Sequence, residues 1–326
     1  YIGTNMEQKI KNLISRLSAP DVDFADIRIT FTDDESIYFE NGNLRGYGSS
    51  MGSPAIGIRV LINGCWGFAG SKDLSDATID RLIKTARGNA MQGSKFQKEA
   101  VSFPALDPTV AEYHHTPEIN PFTMPKAEKL DFLSQLATAI KPAGKIVHSY
   151  VEAEFNRQER YYANTEGSYS YSTVFNTLPL MSVIAADSGQ IQSRTWPGHM
   201  SAGRTGFELF YAQKFQENTE RIIKEATDLL KAPVITDGRA DIIIGGGHLA
   251  LQLHESVGHA TEADRIFGQE ISYAGKTFIK PWMLGKFQYG SEILNIYSDS
   301  TDPRGMGYHP LEIGRASCRE RVSLNV

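Results

Sequence analysis

The chain has 326 residues, enough for about two domains at ~150 residues each. Its 41% hydrophobic content and 29 glycines sit in the ordinary globular range and exclude wholesale disorder. Thirty-three basic against 38 acidic residues leave a formal net charge of −5, which argues against a nucleic-acid or anionic-membrane protein; two cysteines, Cys65 and Cys318, exclude a disulfide-dense scaffold and an all-cysteine zinc module.

In chain order, Ile10, Leu13, Ile14 and Leu17 fall at helical spacing and predict an amphipathic helix over residues 5–18. From 25 to 70 the period changes to two. Runs at 26–32, 36–40, 56–62 and 65–69 are punctuated by Asn41-Gly42 and Asn63-Gly64, pairs suited to tight hairpins, so an antiparallel meander is expected. Residues 75–92 read as a helix capped by Ser75 or Asp76, and 93–121 as a proline-bearing connector. A helix is expected at 124–140. Alternation returns over 146–186, broken by a turn at 164–167, with Tyr161, Tyr162, Tyr169 and Tyr171 expected on a sheet surface. A third helix, at 213–231, carries Ile222, Ile223, Ala226, Leu229 and Leu230 on one stripe. After Pro233 a domain boundary is expected, then a buried strand at 241–245 running through Gly245-Gly246-Gly247 into a helix. The glycines fail the P-loop pattern and read as a plain turn. His114, His115, His248 and His309 read as polar surface, and 299–307 as a Gly/Asp-rich loop.

Strands and helices come in blocks, which predicts an α+β fold rather than a doubly wound parallel sheet. Two domains are expected. Residues 1–232 pack helices on antiparallel sheet, with a hairpin region at 24–92, a connector at 93–121 and a middle region at 122–232. Residues 233–311 form a mixed α/β domain that is cut short. Residues 312–326 resemble the conceptual translation of a sequencing adaptor and are read as foreign to the fold, Cys318 with them. Tyr1 is not an initiator methionine, so the N-terminus is read as open. No apolar stretch approaches the ~20 residues of a membrane span, and no signal-peptide pattern opens the chain, so a cytoplasmic protein is expected.

The sharpest constellation is His254-Glu255 followed by His259. Two imidazoles can bind a metal while an adjacent carboxylate takes a proton from metal-bound water. The familiar zinc-peptidase helix spaces its histidines at i and i+4, on one face. Here they stand at i and i+5, about 140° apart on a regular α-helix, so both reach one metal only if the helix bulges or ends between them. Gly258 is where a π-bulge or a break is tolerated. A histidine pair without a metal is the competing reading. Glu262 fits as a third ligand, as a partner orienting a ligand imidazole, or as a solvated charge.

The segment 254–265, HESVGHATEADR, resembles the metal-binding helix of the TldD/PmbA family of zinc metallopeptidases. Residues 55–70, AIGIRVLINGCWGFAG, look like that family's N-terminal hairpin, and 163–167 like its middle-region turn. The resemblance covers roughly 24–311 and is to the catalytic, TldD-like members. It implies that His254 and His259 ligate zinc and that Glu255 is the general base. It also implies a chamber admitting unfolded or flexible peptides, in a homo-oligomer or a heterodimer with a motif-less PmbA/TldE-like paralogue. The family's third ligand is a downstream cysteine. Cys65 has no match to it, and Cys318 lies in the foreign tail, so the site is expected to be incomplete and the chain inactive or weak in zinc binding. The alternative is a non-catalytic scaffold subunit.

Overall fold

The period-two pattern that begins at Phe24 becomes a long hairpin. Strand β1 (Phe24–Glu40) pairs antiparallel with β2 (Asn43–Ile62) across Asn41 and Gly42, whose φ angles are 51° and 82°. A two-residue turn of this kind needs positive φ at both positions, which asparagine tolerates and glycine adopts freely. The same device at Asn63 and Gly64 folds β3 (Cys65–Ser71) back onto β2. The computed structural model describes residues 2–97, 100–102, 107–198, 201–268, 275–298, 305 and 322–325.

Helix α1 (Ile2–Leu17) buries Ile10, Leu13 and Leu17. Helix α2 (Asp76–Gly93) starts at Ser75, whose hydroxyl accepts from the Thr78 amide. Asp73 holds that cap in place: its carboxylate accepts from the Ser75 amide at 2.9 Å, the Ser75 hydroxyl at 2.7 Å and the Thr78 hydroxyl. These bonds, the one from Thr78 foremost, favour the ionised form and lower its pKa from 3.8 to about 2. A carboxylate depressed in the folded state contributes stability above its unfolded pKa and loses it as pH falls through the folded value. Asp73→Asn should therefore lower the urea midpoint at pH 7 and flatten the loss of stability between about pH 4 and pH 2. Urea titrations at pH 7, 4 and 2.5 on both proteins check this.

The stretch 93–121 is not merely a connector. It contains β4 (Val110–His114), which adds in parallel to β6 (Tyr169–Asp187). A five-residue edge strand with alternately half-exposed side chains offers too few residues for periodicity to register. Helix α3 (Lys126–Ala139), β5 (Ile146–Asn164) and β6 fall where their patterns predicted. Two further elements had no expectation attached: β7 (Gln190–Trp196) and the single-turn helix α4 (Glu208–Ala212). Helix α5 (Phe215–Leu229) follows.

The strand order is β3-β2-β1-β5-β6-β4, with β7 sharing the outer edge of β6. All neighbours are antiparallel except β4–β6, so the seven-stranded sheet is mixed and the class is α+β. Two apolar cores sit on one sheet face. The first joins Ile27 and Ile29 of β1, Ile56 and Ile58 of β2, Tyr161 of β5 and residues of α1 and α2. The second joins Ile37, Phe155 and Met181 to α3, α4 and α5 through Phe132, Phe207, Phe210 and Phe215. Between them, on the same residue parity, lies a belt of ion pairs. Lys129 pairs with buried Glu35, and Arg157 with Asp33 at 2.8 Å and with Glu159. Of the tyrosines expected on a sheet surface, Tyr161, Tyr162 and Tyr169 are buried, and the Tyr161 and Tyr171 rings stand 4.6 Å apart.

The buried strand expected at 241–245 is not present. These residues form no strand, and Ile242 and Ile243 are 81% and 100% exposed. An isolated strand cannot satisfy its backbone groups, and among the described residues no strand pairs with this one. The helix expected after it does form, as α6 (Gly246–Leu253). Near the end, β8 (Asn295–Ser298) pairs with β9 (Val322–Asn325). The loop 299–307 apart from residue 305, together with His309, Cys318 and the rest of 312–321, lies outside the described residues. Among the described residues no helix is long and apolar enough to cross a membrane.

Candidate metal centre

Helix α6 does not end at Leu253; it widens. Residues His254–Gly258 form one π-helical turn, closed by the hydrogen bond from the His259 amide to the His254 carbonyl, and His259–Thr261 tighten into a 3₁₀ turn. An i→i+5 bond returns the chain to the same face after five residues instead of about four. That is the spacing of His254 and His259. The two imidazole rings stand 4.2 Å apart, centroid to centroid, inclined at 71°.

Such a change of helix type leaves carbonyls without helical partners. Four carbonyls of this segment accept from side-chain hydroxyls. The Thr261 hydroxyl donates to the Val257 and Gly258 carbonyls at 2.9 and 3.1 Å, the Thr277 hydroxyl to Ala260 at 2.6 Å, and the Tyr289 hydroxyl to Ser256. Val257, 6% exposed, anchors the turn on its inner side. Thr261, Thr277 and Tyr289 carry no motif signal, because a carbonyl acceptor selects only for a hydroxyl within reach.

Glu255 faces both rings. Its Oε1 lies 3.9 Å from His254 Nε2 and its Oε2 3.9 Å from His259 Nε2. One donor atom from each of His254, Glu255 and His259 can be chosen so that all three lie within 4.8 Å of one another, and among the described residues this is the cluster able to hold a metal. Two imidazole nitrogens are donors of the kind that catalytic zinc sites use, and a carboxylate beside them can take a proton from a metal-bound water, so the residue types fit such an ion. They also suit other divalent metals. The cluster contains no cysteine; Cys65 stands at the start of β3 as a free thiol. His254 and Glu255 are exposed and His259 is half-buried.

Glu262 touches the far side of the second ring. Its Oε1 is 2.8 Å from His259 Nδ1, and its other oxygen pairs with Arg265. The hydrogen bond from His259 comes first among the causes that hold the Glu262 carboxyl below the usual range, with Arg265 adding to it. Arg265 Nη2 also lies 2.8 Å from Nδ1. The tautomer decides between them: Nδ1–H donates to Glu262 and leaves Nε2 with a lone pair, whereas a bond from Arg265 puts the proton on Nε2.

The other sequence-noted histidines lie elsewhere. His248 is exposed in the first turn of α6, and His114 is exposed beside Glu112. His115 is not plain polar surface. It is half-buried, its Nδ1 accepts from the Phe175 amide at 3.3 Å, and burial followed by the charge of Arg204 lowers its pKa.

Comparison with known proteins gives matches to two family models, to named relatives and to solved structures. Residues 25–90 match the family model described as PmbA/TldA metallopeptidase domain 1, and 119–232 match the PmbA/TldA metallopeptidase central domain. A protein named metalloprotease from Methanothermobacter thermautotrophicus is 30% identical over 292 residues, covering 83% of this chain and 60% of that protein. A metalloprotease TldD homolog from Haemophilus influenzae is 24% identical over 292 residues, covering 82% of this chain and 56% of that protein. The chain thus spans less than two thirds of these relatives' lengths. A crystal structure from Thermotoga maritima, described as a candidate modulator of a DNA gyrase, superposes with a TM-score of 0.55 at 20% identity. It covers 71% of this chain and 50% of that one, a likeness of fold.

Proposed function

Because the chain belongs to the PmbA/TldD metallopeptidase family, we propose that the π turn is the metal-binding element of a zinc-dependent peptidase acting on unfolded or flexible peptides. The observation that supports this most directly is the approach of His254 Nε2 and His259 Nε2 to a single carboxylate, Glu255, at 3.9 Å each.

In this reading His254 and His259 hold the metal through Nε2. Glu262 keeps the His259 ring oriented, with Nδ1 protonated, so that the Nε2 lone pair faces the site. Bound there, zinc supplies a polarised scissile carbonyl and a water whose pKa falls to about 7. Glu255 accepts the proton from the attacking water and returns it to the leaving amine. The third protein ligand is unassigned, and two imidazoles are one ligand short of an ordinary catalytic zinc site, so the chain by itself is expected to be inactive or to bind zinc weakly. The region 1–232 would serve assembly and substrate access, and 233–311 would carry the chemistry. The working form would be a cytoplasmic homo-oligomer or a heterodimer with a PmbA/TldE-like paralogue. A scaffold subunit would have no use for His254, Glu255 and His259 on one face.

The test is made on the full-length gene product, obtained by sequencing past the codon for Leu311. Glu255→Gln should keep zinc within about tenfold of the parent affinity and lower cleavage of a flexible casein-derived peptide by about 10²–10⁴-fold, the usual range for a lost general base. Full cleavage by that variant would remove Glu255 from its role. A gene that ends as printed, with no further ligand, would favour the scaffold.

A further inference from the structure

One segment outside the metal helix reaches back to it twice. The Thr277 hydroxyl donates to the Ala260 carbonyl at 2.6 Å, and the Tyr289 hydroxyl donates to the Ser256 carbonyl. Ala260 directly follows His259, and Ser256 directly follows Glu255, so the two bonds grip the backbone one residue beyond each of those side chains. Both carbonyls lie in the stretch where the helix passes from the π turn His254–Gly258 to the 3₁₀ turn His259–Thr261. A π turn is rare in helices, and reversion to α geometry would return His254 and His259 to about 140° apart.

The segment that makes these contacts has an order of its own. Thr277 is 8% exposed, and its hydroxyl also accepts from the Ile279 amide at 3.1 Å, which fixes the rotamer that reaches Ala260. Pro281–Met283 form a 3₁₀ turn, and the Lys286 and Phe287 amides both donate to the Met283 carbonyl at 3.0 Å. The chain folds back there, so that the Phe278 ring meets Tyr289 at 5.5 Å and Phe287 at 6.1 Å between centroids. Ring packing of this kind holds a tyrosine in place and leaves its hydroxyl for a hydrogen bond. Among the described residues, 275–290 include no strand and no α-helix, so these contacts are what order the segment.

We propose that residues 277–289 form a strap that positions the metal centre. The hydroxyls of Thr277 and Tyr289 hold the turn in its π register and so keep the two imidazoles close enough to share one ion. The strap rests on the reading of His254 and His259 as metal ligands. Thr277 and Tyr289 are positioning residues that act through the backbone of the turn. Coupling of this kind is reciprocal, so zinc must in turn steady the strap.

The test measures zinc affinity, by competition with a fluorescent chelator, and tryptic cleavage of the strap, both on the full-length gene product. Lys276 and Lys286 are exposed, and cleavage after either one opens the strap. The double variant Thr277→Val/Tyr289→Phe removes both hydroxyls and keeps the side-chain shapes. It should weaken zinc binding about tenfold or more, each lost hydrogen bond being worth about 2–10-fold. Thr277→Ser keeps the hydroxyl and should bind zinc within about twofold of the parent, whereas Thr277→Val should not. In the parent, zinc should slow cleavage after Lys276 and Lys286; in the double variant the same protection should need about tenfold more zinc. If the double variant does not fold, Tyr289→Phe alone serves, with a loss of about 2–10-fold expected. Zinc affinity in the hydroxyl-free variant within about twofold of the parent, a Thr277→Ser loss as large as that of Thr277→Val, or cleavage that zinc leaves unchanged in the parent would overturn the strap and leave the metal centre standing. A parent that binds no zinc would overturn the metal-centre reading and the strap with it.

Discussion

Replacing His254 with alanine is expected to lower zinc affinity at least about 100-fold, and replacing His259 to do the same or more. Loss of a partner that merely orients a ligand costs about 10–100-fold in metal affinity, and loss of a ligand exceeds that. The series is graded by geometry. Glu262→Gln keeps the volume of a side chain that touches His259 Nδ1 at 2.8 Å but removes its charge, and should fall within about 10–100-fold. Glu255→Gln, which alters the carboxylate between the two Nε2 atoms, should stay within about tenfold if that carboxylate is a base and not a ligand. Competition against a fluorescent zinc chelator ranks all four variants. Wild-type affinity in both histidine variants would show that this turn is not where the metal binds. A Glu255→Gln loss as large as that of the histidines would make Glu255 a ligand and would leave the general base unassigned.

The second large effect concerns the fold. Lys129→Met should cost about 3–5 kcal/mol, because it leaves the Glu35 carboxylate in the interior without its cation. Lys129 and Glu35 are 3% and 5% exposed, and Lys129 Nζ also donates to the Pro121 carbonyl at 2.7 Å. The double variant Lys129→Met/Glu35→Leu should recover most of that loss, since an apolar pair of similar volume replaces a buried ion pair at little net cost. Urea denaturation of the single and double variants gives the coupling directly. A single-variant cost under about 1 kcal/mol would mean that water screens the pair as it does at a surface.

That ionic belt divides two apolar cores that share one sheet. The two matched family segments, 25–90 and 119–232, likewise lie on either side of β4 in sequence and pair through β1 and β5 in space. Lys129 comes from α3 and Glu35 from β1, 94 positions apart, so nothing local in either segment marks the contact. Lys129 reads from the sequence as one more polar position on an amphipathic helix.

The sequence by itself determined the elements whose causes are local. Asn41-Gly42 and Asn63-Gly64 dictate two hairpins because few other residues accept positive φ, and α1, α2, α3 and α5 follow from apolar spacing and caps. The residues of the candidate metal centre were also legible as residue types: His254, Glu255 and His259 stood out, and the i, i+5 spacing of the two histidines stated what the backbone would have to do. Only the tertiary structure decided that the helix does it. The π turn is held by hydroxyls from Thr261, Thr277 and Tyr289, the last two distant in sequence, and a helical period carries no information about such partners. Residues 241–245 fail for the converse reason. Their apolar run looks like a strand to any local rule, but a strand exists only where another strand pairs with it, and that is a property of the assembled sheet.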